Sequence, residues 1–279
     1  MPEGPEVRRE ADELGRALVG RNLVRIEYRV PSLAARAAGL AGARVTRVTS
    51  RGKTMVIAYD RGLVHLSHHQ LYGRWRIADA RRVPDSDRAV RVVLATATRI
   101  ATLYSATAIA LVDAGDVDVH PLVARLGPDV LDRSTTPALI AARLSLPRFA
   151  RTTLGHLLLD QSFAAGLGNY LRSDILHVSG LRAEARPADL DGDARARLAE
   201  TIVALPRRSY RSRGVTAGAA LARTLDARGV PRAERRFLAY DRAGEPCRTC
   251  GSAIRRREVA GRGWFYCPAC QPPVRVRRR

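Results

Sequence analysis

Val24-Arg25-Ile26-Glu27-Tyr28-Arg29-Val30 places an apolar residue at every second position, with a charge between each pair. That period of two is the signature of a strand with one face buried and the other in water. Working outward, strand-like runs recur at 43–49, 54–59, 62–67, 74–78, 89–95 and 98–104. Turn signals such as Arg51-Gly52 and Asp60-Arg61-Gly62 separate several of them, so the chain to about residue 115 reads as an antiparallel sandwich or barrel. Upstream, Val7, Ala11, Leu14 and Leu18 recur at helical spacing and Gly20 follows as a stop, which predicts an amphipathic helix over 6–18 leading into the strands.

Downstream, the turn-rich stretch 113–121 ends the alternation, and helices are predicted at 136–145, 151–162, 168–178 and 188–204. Residues 206–235 are rich in arginine and glycine with weak periodicity and read as a loop with a short helix. A cysteine module and an arginine-rich tail close the chain, which shows no internal repeat. At roughly 150 residues per domain, 279 residues suggest about two domains of α+β character. The apolar fraction of 46% and the formal charge of +21 describe a folded polycation rather than a disordered basic tail. Nothing approaches the run of roughly 18 apolar residues that a membrane span needs, and residues 1–20 mix acids with bases, unlike a signal peptide. A reducing, cytoplasmic setting is expected.

All four cysteines fall late in the chain, as Cys247-x2-Cys250 and Cys267-x2-Cys270. Two such knuckles suit one tetrahedral ion better than a pair of disulfides, and four thiolates select Zn2+. A closed shell leaves no position for a catalytic water, so the zinc is expected to be structural. Arg255, Arg256, Arg257 and Arg262 line this ribbon and suit contact with nucleic acid.

At the other end, Met1 precedes Pro2. Removal of the methionine exposes a secondary amine whose pKa, near 8 against roughly 10.4 for lysine, leaves an appreciable neutral fraction. Attack by that amine on an aldehyde-like sugar carbon gives an iminium, an electron sink that acidifies a neighbouring C–H and permits elimination. Glu3, one residue on, is placed to donate a proton to the sugar or to a leaving group. Pro-Glu is also an ordinary helix start. A single lysine, Lys53, stands among 48 basic residues, either a chance survivor on a solvated hairpin or a site where a primary amine is required.

Together, Pro2-Glu3-Gly4-Pro5-Glu6-Val7, Gly168-Asn169-Tyr170 and the four-cysteine finger resemble, in kind and order, the endonuclease VIII branch of the formamidopyrimidine-DNA glycosylase family. The resemblance runs essentially end to end. It implies an N-terminal β-sandwich with a leading helix, a helix-two-turn-helix domain and a C-terminal zinc finger holding one structural Zn2+, with DNA in the cleft between the domains. The implied boundaries are a catalytic domain at 1–120, a linker at 121–135, a DNA-binding domain at 136–235, and the finger with its basic tail at 236–279.

The implied activity is that of a monomeric, bifunctional enzyme of base excision repair. It removes oxidised bases, mainly pyrimidines, from double-stranded DNA and cuts the strand at the abasic site by β- and δ-elimination. By the same resemblance Pro2 is the Schiff-base nucleophile, Glu3 the proton donor and Glu6 a supporting residue. Lys53 serves β-elimination, and Arg262 serves phosphate binding and δ-elimination. Gln70, Leu71 and Tyr72 fill the void left by an extruded base, and Arg125 and Asn169 contact DNA. His68 and His69 read as packing or backbone-bonding residues, with no partner carboxylate evident. Asp174 stands where the family commonly carries a glutamate, and the stretch 211–235 and the tail beyond Cys270 are less typical. Two alternatives stay open: an oxidised-purine glycosylase of the same family, and a non-catalytic zinc-ribbon DNA-binding protein.

Overall fold

The computed structural model describes residues 2–81 and 86–273, so the end of the basic tail, 274–279, lies outside the described residues. The chain forms two compact units, divided between Arg125 and Leu126.

The first unit opens with helix α1 (Gly4–Leu18), whose buried face of Val7, Ala11, Leu14 and Leu18 is the predicted stripe. Strand β1 (Arg25–Tyr28) and helix α2 (Pro31–Ala38) follow. Seven strands come next: β2 (Val45–Arg51), β3 (Thr54–Tyr59), β4 (Leu63–His68), β5 (Arg74–Asp79), β6 (Val90–Ala95), β7 (Arg99–Tyr104) and β8 (Ala108–Asp113). They form two antiparallel four-stranded sheets, in the orders β1-β6-β7-β5 and β2-β3-β4-β8. Leu14 and Leu18 of α1, Met55 and Ile57 of one sheet and Trp75, Leu94 and Leu103 of the other share one core. The leading helix is therefore anchored in the sandwich, which fixes the position of the residues just before it.

The second unit carries α3 (Pro137–Leu144), the single turns α4 (Pro147–Ala150) and α5 (Leu154–Leu157), α6 (Asn169–Ser179), α7 (Gly192–Arg211) and α8 (Ala219–Ala227). It ends in a hairpin of β9 (Arg255–Val259) and β10 (Arg262–Tyr266). Trp264 and Tyr266 of β10 are buried in the same core as Leu171 and Ile175 of α6 and Leu198 and Ile202 of α7.

Several elements differ from the sequence reading. Helix α2 has a single buried residue, Ala37, and so no apolar period to detect. Strand β8 is a half-buried edge strand with five apolar residues in a row, Ala108 to Val112, and shows no alternation. The helix expected over 151–162 shrinks to α5, because Arg143 on α3 donates to the carbonyls of Ser162 and Phe163 and holds that stretch as a loop. Most of 206–235 was expected to be loop, yet α7 continues through Pro206 to Arg211. A proline inside a helix costs about 3 kcal/mol. Here Val203, Leu205, Pro206 and Ser209 keep the buried face running, so tertiary burial outweighs local propensity.

Candidate active site and zinc finger

In the first unit the terminal residues are held by the start of α1. Pro2 is half-buried, and Glu3, the N-cap, is 3% exposed. The Glu3 backbone N–H donates to Glu6 Oε2 at 3.1 Å, half of a capping box that orients the first turn. Lys53 lies in the turn between β2 and β3 and is only 8% exposed, so its ammonium is not on a solvated hairpin. Its charge falls on His68 at the end of β4: burial first, then Lys53 and His69, hold the His68 imidazole below its ordinary pKa. His68 Nδ1 accepts from the Gln70 backbone N–H at 3.0 Å, which makes it a backbone-bonding residue as expected.

That bond roots the turn between β4 and β5. The Gln70 backbone is left-handed, with φ +49°, and its side-chain oxygen accepts from the Thr107 hydroxyl. Leu71 and Tyr72 are 67% and 68% exposed, so the structure leaves the two apolar side chains of the Gln70-Leu71-Tyr72 tripeptide in solvent rather than in the core. The Gly73 backbone N–H closes the turn onto the His69 carbonyl at 2.7 Å, and a Cβ there would sit 2.6 Å from that same oxygen. Only glycine fits. Arg88 Nη1 holds the Tyr72 carbonyl from outside at 2.9 Å. Against expectation His69 does face a carboxylate, since Glu10 Oε2 lies 2.5 Å from its Nε2. The glutamate comes from α1, 59 residues earlier in the numbering, and no local pattern links the two. Arg125, at the end of this unit, is exposed, and its side chain makes no hydrogen bond or ion pair among the described residues.

In the second unit Asn169 is the first residue of α6, with Gly168 rather than itself as N-cap. Its side chain donates to the Gly263 carbonyl at 3.0 Å and accepts from Arg172 Nη2 at 2.7 Å. Sequence reasoning passed over Arg172, one arginine among many, yet it is fully buried. Its guanidinium also reaches the carbonyls of Gly155, Val259, Arg262 and Gly263 at 2.9 to 3.3 Å. Asn169 and Arg172 thus clamp the β9–β10 turn by its backbone. The Arg262 side chain is left exposed, with no partner among the described residues, which suits a guanidinium meant for phosphate.

Asp174 is also fully buried. Its carboxylate accepts from the backbone N–H groups of Leu238, Ala239 and Tyr240, each at 2.9 Å, and from the Thr216 hydroxyl. The shorter acid therefore has a complete set of donors and gathers the segment that enters the finger.

Cys247, Cys250, Cys267 and Cys270 bring their sulfurs within 4.8 Å of one another. The Cys247–Cys270 and Cys250–Cys267 separations are 3.8 and 3.4 Å. A tetrahedron with Zn–S bonds of about 2.3 Å has edges of about 3.8 Å, so the four donors fit one zinc ion. Backbone N–H groups of Thr249 and Cys270 donate to Cys247 and Cys267 sulfurs at 3.4 Å, which favours thiolates. Gly251, at φ +79°, supplies the left-handed residue that lets the first knuckle turn back.

Comparison with known proteins covers both ends and the whole. Residues 1–114 match the formamidopyrimidine-DNA glycosylase N-terminal domain, and residues 244–273 match the zinc finger found in FPG and IleRS. Endonuclease 8 of Klebsiella pneumoniae is 41% identical over 271 residues, covering 97% of this chain and 100% of its own length. Endonuclease 8 of an Escherichia coli strain is 40% identical over the same span. Among solved structures, Lactococcus lactis Fpg in complex with DNA containing N7-benzyl-Fapy-dG superposes with a TM-score of 0.81 at 23% identity, over 98% of this chain and all of that one. The same enzyme bound to DNA containing an abasic site gives 0.80 at 22% identity, over 97% of this chain.

Proposed function

The chain belongs to the endonuclease VIII branch of the formamidopyrimidine-DNA glycosylase family and is a DNA glycosylase of base excision repair; we propose that it works through the amine of Pro2 and prefers oxidised pyrimidines. The burial of Glu3 beside Pro2, at the start of a helix fixed in the sandwich core, carries this reading. An acid so placed, shielded from water, is positioned to deliver a proton as the amine attacks the anomeric carbon and the damaged base leaves. The resulting iminium acidifies the adjacent sugar C–H; that proton passes to a base, the electron pair it leaves expels the 3′ phosphate, and buried Lys53 serves this β-elimination. Arg262, whose side chain has no partner among the described residues and which a clamped turn presents, binds the phosphate and serves the second elimination.

Gln70, Leu71 and Tyr72 occupy the space of the extruded base, and the exposure of Leu71 and Tyr72 supports that role. Arg125 and Asn169 contact the DNA backbone. One Zn2+ held by Cys247, Cys250, Cys267 and Cys270 shapes the finger that carries Arg262. Residues 1–120 form the catalytic domain and 136–235 the DNA-binding domain. Among the described residues no helix is long and apolar enough to cross a membrane. By its kinship with the endonuclease 8 enzymes we place the protein in the cytoplasm, as a monomer acting on duplex DNA.

Borohydride trapping on an abasic duplex tests the chemistry. The wild-type protein is expected to yield a covalent adduct that peptide mapping assigns to Pro2, while Pro2→Gly loses most of the adduct and still binds DNA. An adduct mapped elsewhere, or neither adduct nor strand cleavage, overturns the mechanism. Excision rates on thymine glycol and 8-oxoguanine duplexes test the pyrimidine preference.

A further inference from the structure

We propose that Glu10 is a positioning residue that couples the void-filling turn to the helix carrying the catalytic terminus, an inference that rests on the roles assigned above to Pro2 and to Gln70-Leu71-Tyr72. A side chain pushed into a base stack meets resistance, and the turn that bears it must pass that load to something rigid. Bonds from His68, Thr107 and Arg88 attach the turn to strands and loops of the sandwich. Glu10 attaches it to α1. Its Oε1 accepts from the Trp75 backbone N–H at 3.0 Å, where the chain leaves the turn, and its Oε2 lies 2.5 Å from His69 Nε2, where the chain enters. One carboxylate therefore holds both feet of the turn.

The contact is also costly to lose. His69 is 3% exposed and neither ring nitrogen makes a hydrogen bond of good geometry among the described residues, so the close approach of the Glu10 carboxylate to Nε2 is the polar contact this buried ring has. Removing the carboxylate takes the acceptor from the Trp75 N–H and the facing charge from the buried ring. Glu10 stands seven residues after Glu3 on the same helix, about two turns or roughly 10 Å along the axis. Because Val7, Ala11 and Leu14 seat that helix in the core, a displacement of the turn reaches the first turn of α1 through a rigid element.

Single-turnover excision of thymine glycol from a duplex, with 2-aminopurine beside the lesion to report unstacking, is compared with borohydride trapping at an abasic site facing a short gap, where no stack has to be filled. Glu10→Ala is expected to slow duplex excision about tenfold and blunt the fluorescence rise while trapping at the gapped site keeps its wild-type rate. Glu10→Gln keeps an acceptor for the Trp75 N–H and should recover part of the loss. If Glu10→Ala does not fold, the same contrast is expected, smaller, in Glu10→Gln. Adding His69→Asn to Glu10→Ala should cost little more, as for two residues acting through one contact. An unchanged duplex rate overturns the inference, as does an equal fall on both substrates, which would mark a general disturbance of α1. A wild-type protein that traps on neither substrate overturns the Pro2 reading and this coupling with it.

Discussion

His65 sits fully buried between the sheets, with Nδ1 3.0 Å from the Tyr28 hydroxyl and Nε2 2.9 Å from the Ser67 hydroxyl. Tyr28 in turn meets the Tyr59 hydroxyl at 3.0 Å, so a chain of neutral polar groups crosses an otherwise apolar core. Burial, and to a lesser degree His69, push the His65 pKa down to about 3. In the unfolded chain a histidine titrates near 6.5. Between pH 6.5 and about 3 the unfolded state therefore binds a proton that the folded state refuses, and stability falls as the pH falls, by about 1.4 kcal/mol per unit. Above pH 6.5 the group adds no slope. His68, also shifted down mainly by burial, acts in the same direction. Denaturant titrations at pH 7 and pH 5 should show the loss, and His65→Gln should flatten the difference whatever its stability at pH 7. An equal slope in the variant would mean that His65 does not carry the acid sensitivity.

At the level of elements, the joint between α6 and the β9–β10 hairpin depends on the shape of one side chain. Arg172 serves carbonyls from α5, β9 and β10 and the Asn169 side chain at once, which a planar fork with five N–H groups does and a single ammonium does not. Arg172→Lys should lower stability by about 3 kcal/mol, the scale of buried acceptors left without donors, and should raise the mobility of the Arg262 turn. Urea denaturation measures the first; limited proteolysis near residue 261 measures the second. A variant as stable as the wild type would show that the fork is dispensable.

This joint also marks how far the sequence could be read. Helix α6, the leading helix and most strands declare themselves by apolar period, and the cysteines by spacing, because each signal is local. Arg172, Glu10 and Thr107 are invisible by the same means. Their partners lie in distant parts of the chain, and an arginine buried among carbonyls is spelled like the dozens in solvent. The exposure of Leu71 and Tyr72 is equally unreadable, since in sequence they look like the end of a buried strand.

For the whole molecule, the two compact units and the +21 charge set what metal and salt should do. Counterion release makes DNA affinity fall steeply with salt in either case, so salt alone says little about architecture. Metal says more. Zinc ties together the finger, and the finger gives Trp264 and Tyr266 to the helical core, where their rings stack at 4.3 Å. The sandwich has its own core around Trp75. The chain holds two tryptophans, one in each core, so each unit carries its own fluorescent reporter. In a Trp75→Phe variant, a strong zinc chelator should shift the remaining emission to the red as Trp264 meets water. In Trp264→Phe the emission of Trp75 should hold its position under the same treatment. Simultaneous loss of both signals would show that the sandwich depends on the metal for its fold, and an unchanged Trp264 signal with zinc removed would show that the helical core closes over the hairpin without it.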